Sequence, residues 1–206
     1  KEVLIDKENE TIVGKGSVEA TDTEGKLIKA NKITYEKSRE FLLAEGEVEI
    51  TDIGGNILKT GKATYDKINE IIITYNYTEL LLKEGYKLIT KDISYNTEKK
   101  ILSSNQNTIF TDSDGNTVET SMFQYHVENN LLSSIGKIKI IDIKKNKYFF
   151  KELHVDTKKK EMIGSDVSVI LDQKNFGVRA DNDPRFVANN IFMSKNISNL
   201  SKGVFT

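Results

Sequence analysis

The sequence predicts an all-β protein, a folded-over antiparallel β jelly roll grown from 30-residue two-strand repeats, and three observations carry that expectation. The first is a fixed period. Tyr35, Tyr65, Tyr95 and Tyr125 stand 30 residues apart, each with an apolar residue two places earlier: Ile33, Ala63, Ile93 and Phe123, a series continued by Leu153. Gly25, Gly55, Gly85 and Gly115 keep the same interval, and so do Asp22, Asp52, Asp112, Asp142 and Asp172 with one skip at Leu82. Gly16, Gly46 and Gly136 form a fourth series. Self-similarity at such a period marks a supersecondary unit stacked on copies of itself. The second observation is alternation: "EGEVEITD" (Glu45 to Asp52) puts Val48 and Ile50 on one side and Glu47, Glu49 and Thr51 on the other. That is the period of a half-buried strand. The third is a single proline, Pro184, in 206 residues, which suits long strands because proline removes a ladder donor.

Within one unit the elements follow in order. After the "EGEVEITD" strand comes "DIGGN", matched by "DTEGK" and "DSDGN"; an Asp three residues before a Gly suits a type I turn closed by a glycine bulge, so these are hairpin tips. "NILKTGKATY" then returns, with Leu58 and Thr60 on one parity but Ala63 and Tyr65 on the other, as if a mid-strand bulge bent the sheet. The same switch separates Ile28 and Ala30 from Ile33 and Tyr35. "DKINE" and "EKSRE" turn the chain into the next unit. Five to six such units give on the order of a dozen antiparallel strands, folded into two facing layers with an open edge at each end. The markers stop near Asp172, so residues 1–177 are expected to form the repeat domain and 178–206 a linker or the start of a following barrel.

Composition narrows the function classes. Lys and Arg number 30 against 31 Asp and Glu, a net charge of −1, so no whole-chain field recruits nucleic acid. There is no cysteine for a disulfide or thiolate site, and no apolar run of about 18 residues. Hydrophobic residues make up 37% and charged ones 30%, enough for thin packed layers.

Candidate chemistry is sparse. His126 and His154 have no accompanying nucleophile motif and read as strand histidines. "TDSDGN" (Thr111 to Asn116) opens like a calcium loop, but Ser121 stands where the closing glutamate belongs, so a hairpin turn is the better reading. Lysines at 137, 139, 144, 145 and 147, then 158 to 160, form one basic stretch, read as a solvated face or an edge guard. Neither a catalytic residue, a metal nor a cofactor is expected. What remains is an apolar stripe repeated along the whole chain, with Tyr at one rim, whose width and continuity suit long acyl chains.

Repeats such as "GEVEITDIGGNILKTGKATYDKINEIIIT" resemble the OstA-like domains of the lipopolysaccharide transport machinery, over about residues 10–175. The resemblance implies a β jelly roll that joins others edge to edge into a periplasmic bridge, carrying lipopolysaccharide with its acyl chains inside. The tail segments "DNDPRF" and "LSKGVFT" resemble the connector between periplasmic domain and barrel in outer-membrane lipopolysaccharide-assembly proteins; of the cysteines that flank this region in that family, none lies within residues 1–206. It implies a non-enzymatic conduit at the periplasmic face of a Gram-negative outer membrane. Lipopolysaccharide is then the cargo, a periplasmic bridge protein adds a strand near Val18, and an outer-membrane barrel with its plug lipoprotein lies downstream; nucleic acid is not a partner. The expected lipid-binding lining is Val48, Ile50, Leu58, Tyr65, Ile73, Ile93, Tyr95, Phe123, Tyr125, Ile138 and Ile140. Two alternatives stay open: a structural or adhesive β-repeat with a solid interior, and a stand-alone bridge protein.

Overall fold

The computed structural model describes residues 2–22, 25–83, 85–172, 174, 184–195 and 197–205. These are all-β, with a 3-10 turn at Lys37–Arg39 and no α-helix among the described residues. The chain divides into two compact units, Lys1–Ser104 and Asn105–Thr206.

In the first unit a short strand β1 (Glu2–Asp6) leads into β2 (Thr11–Thr21), β3 (Leu27–Glu36), β4 (Phe41–Thr51), β5 (Ile57–Asp66) and β6 (Ile71–Leu81). Each pairs antiparallel with the next. The return after β6 is split into β7 (Lys87–Thr90) and β8 (Ser94–Asn96), both on β6, and β9 (Ile101–Ser104) pairs with β8. In the second unit β10 (Thr108–Thr111) pairs with β11 (Thr117–Thr120). β11 and β12 (Phe123–His126) share β13 (Leu131–Ile141), and β14 (Lys147–Asp156), β15 (Glu161–Ile170) and β16 (Arg185–Met193) continue the antiparallel series. β17 (Ser198–Ser201) and β18 (Val204–Phe205) both lie along β16. The expected domain boundary at 177/178 falls outside the described residues. Beyond it the sheet continues: β16 matches β15 from Met162↔Met193 to Ile170↔Arg185. Alternation in "RFVANNIFM" is weak because Ala188 and Ile191, its buried positions, are three apart across a bend.

Both kinds of turn repeat. At the tips Gly55 takes φ 86°, a left-handed value that costs glycine nothing, and its N–H donates to the Asp52 carbonyl at 3.1 Å. Asp52 also accepts the Asn56 N–H at 2.9 Å and the Asn56 side-chain amide at 2.7 Å. Asn56 Oδ1 in turn accepts the Lys83 N–H of the next tip, as Asn116 does for Ile143 and Asn146 for Asp172. At the opposite strand ends the closing residue is left-handed but not glycine: Glu10, Glu40, Glu70, Lys100, Asn130 and Lys160, again 30 apart. Their carbonyls are used by the following turn, with Lys37 N–H donating to Glu10, Lys67 to Glu40, Thr97 to Glu70 and Thr157 to Asn130.

The strands bend at mid-length, and the bulge sits on other strands than the parity switch of "NILKTGKATY" suggests. Glu45 pairs with Lys62 and Val48 with Thr60, so the extra residue belongs to β4, at Gly46 and Glu47, while β5 merely turns two successive residues outward. β2, β6 and β13 carry the same insertion. On the inside of the bend β4 therefore presents Ala44 and Val48, four apart, against Thr60 and Ala63 of β5, three apart, and all four are buried. The bend is large. In the second unit Lys160, in the β14–β15 turn, lies 3.9 Å from Asp114 at the β10–β11 tip. A straight ten-residue strand would hold turns and tips about 33 Å apart, so the intervening strands are folded over. Apolar clusters fill the crease: Ala30, Ile33, Ala44, Val48 and Ala63 in the first unit, and Ile138, Ile140, Phe150, Leu153, Val167, Val169, Ala188 and Ile191 in the second. Full burial of a side chain such as Leu153 contributes about 1.5–3 kcal/mol.

Candidate functional site

Cross-strand partners share a face, so the register defines the inner surface on either side of the crease. In the first unit the tip-side row reads Ala20, Ile28, Ile50, Leu58, Leu80, Leu88, each opposite the next. The turn-side row reads Ile12, Tyr35, Leu42, Tyr65, Ile72, Tyr95, Leu102, an alternation of tyrosine and aliphatic residues. In the second unit the tip-side row is Phe110, Val118, Ile140, Tyr148, Val169, Phe186, Phe205, and the turn-side row Tyr125, Leu132, Val155, Met162, Met193. Neither row is interrupted by a charge. Most of these side chains are half-buried, so part of their apolar surface stays accessible.

The residues expected to line a trough divide into three groups. Ile50, Leu58, Tyr65, Tyr95 and Tyr125 are half-buried members of these rows. Val48, Ile93, Phe123 and Ile138 are at most 2% exposed and Ile140 is 6% exposed, so they pack the crease instead of offering surface. Ile73 is a correction: it pairs with Thr64 and Ser94 on the outer face, and Ile72, opposite Tyr65 and Tyr95, holds the inner place. Three successive isoleucines, 71 to 73, give alternation nothing to choose between.

Two of the rim tyrosines, Tyr65 and Tyr125, have an apolar ring in the row and a hydroxyl bonded at the turn. Tyr65 donates to Glu70 Oε2 at 3.4 Å, and the same carboxylate accepts a short hydrogen bond from Thr97 Oγ1. Burial first and then the Glu70 charge push the Tyr65 phenol above its ordinary pKa, partly offset by Thr97 and by Lys26. Tyr125 bonds Thr157 at 3.3 Å, whose hydroxyl also donates to the Asn130 carbonyl. On the tip side the Tyr148 hydroxyl donates to Asp142 at 3.0 Å; burial, then that carboxylate, raise its pKa to about 12.

Polar side chains inside the crease have a structural task. Bulges release carbonyls from the ladder, and buried hydroxyls take them up. Thr60 donates to the Tyr75 carbonyl at 3.1 Å, and Thr120 and Ser134 to that of Met122 at 3.0 and 2.8 Å. Sequence reading missed the row that Ser134 belongs to, although its signal was present: Gly14, Ala44, Thr74, Ser104, Ser134 and Gly164 are all small, all buried and 30 apart.

The remaining candidates resolve into turns and surface. Asp112 is occupied by the N–H groups of Asp114 and Asn116 and by the Asn116 amide. His154 bonds Ser133 Oγ at 3.0 Å and Glu152 Oε1 at 2.9 Å on the outer face, while His126 lies opposite Leu131. The basic stretch is interleaved with acids, Lys139 with Glu119, Lys159 with Asp156 and Lys160 with Asp114. β1 covers only Thr11–Lys15 of β2, so Val18 to Thr21 pair with β3 alone among the described residues.

No protein-family model matches this chain, and no curated protein matches it significantly.

Proposed function

We propose that the inner face of the folded sheet shelters the acyl chains of a lipid and that this lipid is lipopolysaccharide, carried in the manner of an OstA-like β jelly roll. The observation that supports the reading most is the pair of uncharged apolar rows, continuous from strand to strand in each unit. Burial against such rows is worth about 0.8 kcal/mol per methylene and has no direction, so a chain slides between equivalent repeats. Hydroxyl-tethered tyrosines at the rim mark where apolar cargo gives way to hydrated headgroup. The half-open edge at Val18 to Thr21 suits strand addition by a periplasmic bridge protein, and on the same reading the cargo passes to an outer-membrane barrel with its plug lipoprotein. The protein works without catalysis at the periplasmic face of the outer membrane.

A second reading, a structural β-repeat, is favoured by the tight crease of the second unit, where Ile138, Phe150, Leu153 and Val167 are 1–5% exposed. Photocross-linking separates the two. A benzoylphenylalanine placed at Ile50 or Leu58 and irradiated in the presence of lipopolysaccharide is expected to yield lipid adducts, whereas one at Glu47 on the outer face yields none. Adducts that are absent at both inner positions, or equal at Glu47, overturn the conduit.

A further inference from the structure

We propose that a groove on the outer face of the first unit binds a neutral saccharide. The groove is an open depression of about 570 Å³ at the bend of β4, β5 and β6, floored by Val48 and Thr60, within the usual range of about 300–1,000 Å³ for small-ligand sites. Its origin is a missing side chain. The extra residues of β4 and β6 turn Glu47 and Asn76 outward on either side of β5, and between them stands Gly61. Nothing lies within 4 Å of the place a Gly61 Cβ would take, and Gly61 is not among the left-handed glycines. Neither packing nor conformation requires glycine there. One repeat earlier, the Asn31 amide comes within 2.8 Å of the Cβ position of Gly46; two repeats later, Ser121 Oγ comes within 2.9 Å of that of Gly136. At those two bends a polar side chain covers the backbone, and at Gly61 it is bare.

The walls specify the ligand. Lys29 and Lys59 face Glu47 and Glu49, with Lys59 Nζ 3.4 Å from Glu49 Oε2, so the lining charges cancel. A phosphate would meet two carboxylates, and a hydrocarbon chain would strip four charged groups of water without return. Tyr77 is 57% exposed, yet its hydroxyl is held by Glu79 at 3.0 Å and Glu79 by Lys87 at 2.8 Å, which presets the ring. An anchored aromatic plate beside ammonium donors and carboxylate acceptors of zero net charge fits a sugar ring, which has an apolar C–H face and a hydroxyl edge that both donates and accepts.

The test is amide NMR of the full chain titrated with maltotriose and with triacetylchitotriose. At least one sugar is expected to give saturable shifts confined to Glu47, Gly61, Asn76 and Tyr77, with a dissociation constant at or below about 1 mM. Gly61→Asn, which installs the residue the preceding repeat carries, is expected to leave the rest of the spectrum in place and weaken binding at least about tenfold, and Tyr77→Ala to do the same. The proposal is overturned by the absence of saturable shifts with both sugars, by equal shifts with inorganic phosphate, or by unimpaired binding in Gly61→Asn.

Discussion

Replacing Gly164 with alanine would place a methyl carbon 2.3 Å from Phe150 Cδ1 and 2.7 Å from Cε1, where carbon atoms at rest stay about 3.5–4.0 Å apart. The ring cannot simply retreat. Phe150 is 5% exposed and belongs to a cluster in which Ile138, Leu153 and Val167 are 1–3% exposed. Relieving the clash takes a shift of more than an ångström through a filled crease, and overpacking of that kind costs about 1–3 kcal/mol. A contact as short as 2.3 Å belongs at the upper end of that range, about 2–3 kcal/mol; alanine recovers about 0.4–1 kcal/mol by restricting the unfolded chain, which leaves a net loss of about 1–2.5 kcal/mol and a thermal midpoint lower by roughly 2–10 °C. Urea unfolding followed by circular dichroism measures the loss. Phe150→Leu alone should also destabilise, by about 1–2 kcal/mol through the space it vacates. Together the two changes should cost at least about 1 kcal/mol less than their sum, because the smaller side chain makes room for the methyl. Gly164→Ala within about 0.5 kcal/mol of the parent, or strict additivity in the pair, would refute the account of the crease.

Two further outcomes are expected. Asn116→Ala removes the 2.7 Å bond to Asp112 and the 3.0 Å bond from the Ile143 N–H, so stability should fall by about 1–2 kcal/mol and the Ile143 amide should exchange faster with solvent. Tyr148, raised to about 12, favours the neutral phenol in the folded state. Its contribution is present below the ordinary value near 10 and is lost as pH rises from about 10 to 12. Tyr148→Phe should flatten that alkaline decline in urea midpoint, and absorbance at 295 nm should show one fewer late-titrating phenol.

Period and alternation made the strands, tips and tyrosine rim legible because each follows from one residue at a fixed place: Gly55 for its φ, Asp52 for its cap, Tyr65 for its ring and hydroxyl. Where several residues satisfy the same local rule, the sequence is ambiguous. Ile71, Ile72 and Ile73 fit either face, and only pairing with Tyr65 selects Ile72. The bulge belongs to whichever strand holds the extra residue, which is a property of a pair, so the parity switch at Thr60 and Ala63 pointed to the bend but not to β4. Asn56, Asn116 and Asn146 repeat as plainly as the glycines, yet their second bond reaches a residue 26 or 27 positions on and has no local signature.

The crease shows why some series keep their residue and others keep only their size. A tip must place one residue in the left-handed region, so four of its five described occupants are glycine, at φ 86–93°, and the fifth, Lys145 at φ 68°, is exposed. The crease must instead fill a fixed width, a condition on sums. Where β14 contributes Phe150, β15 opposite has Gly164; where β5 contributes Thr60 and Ala63, β4 and β6 supply Ala44 and Thr74, which carry more volume than glycine. Volume can thus move from one strand to its neighbour while the antiparallel pairing on both sides of the crease is kept. The inner rows on both sides of the crease then keep their cross-strand pairing from repeat to repeat.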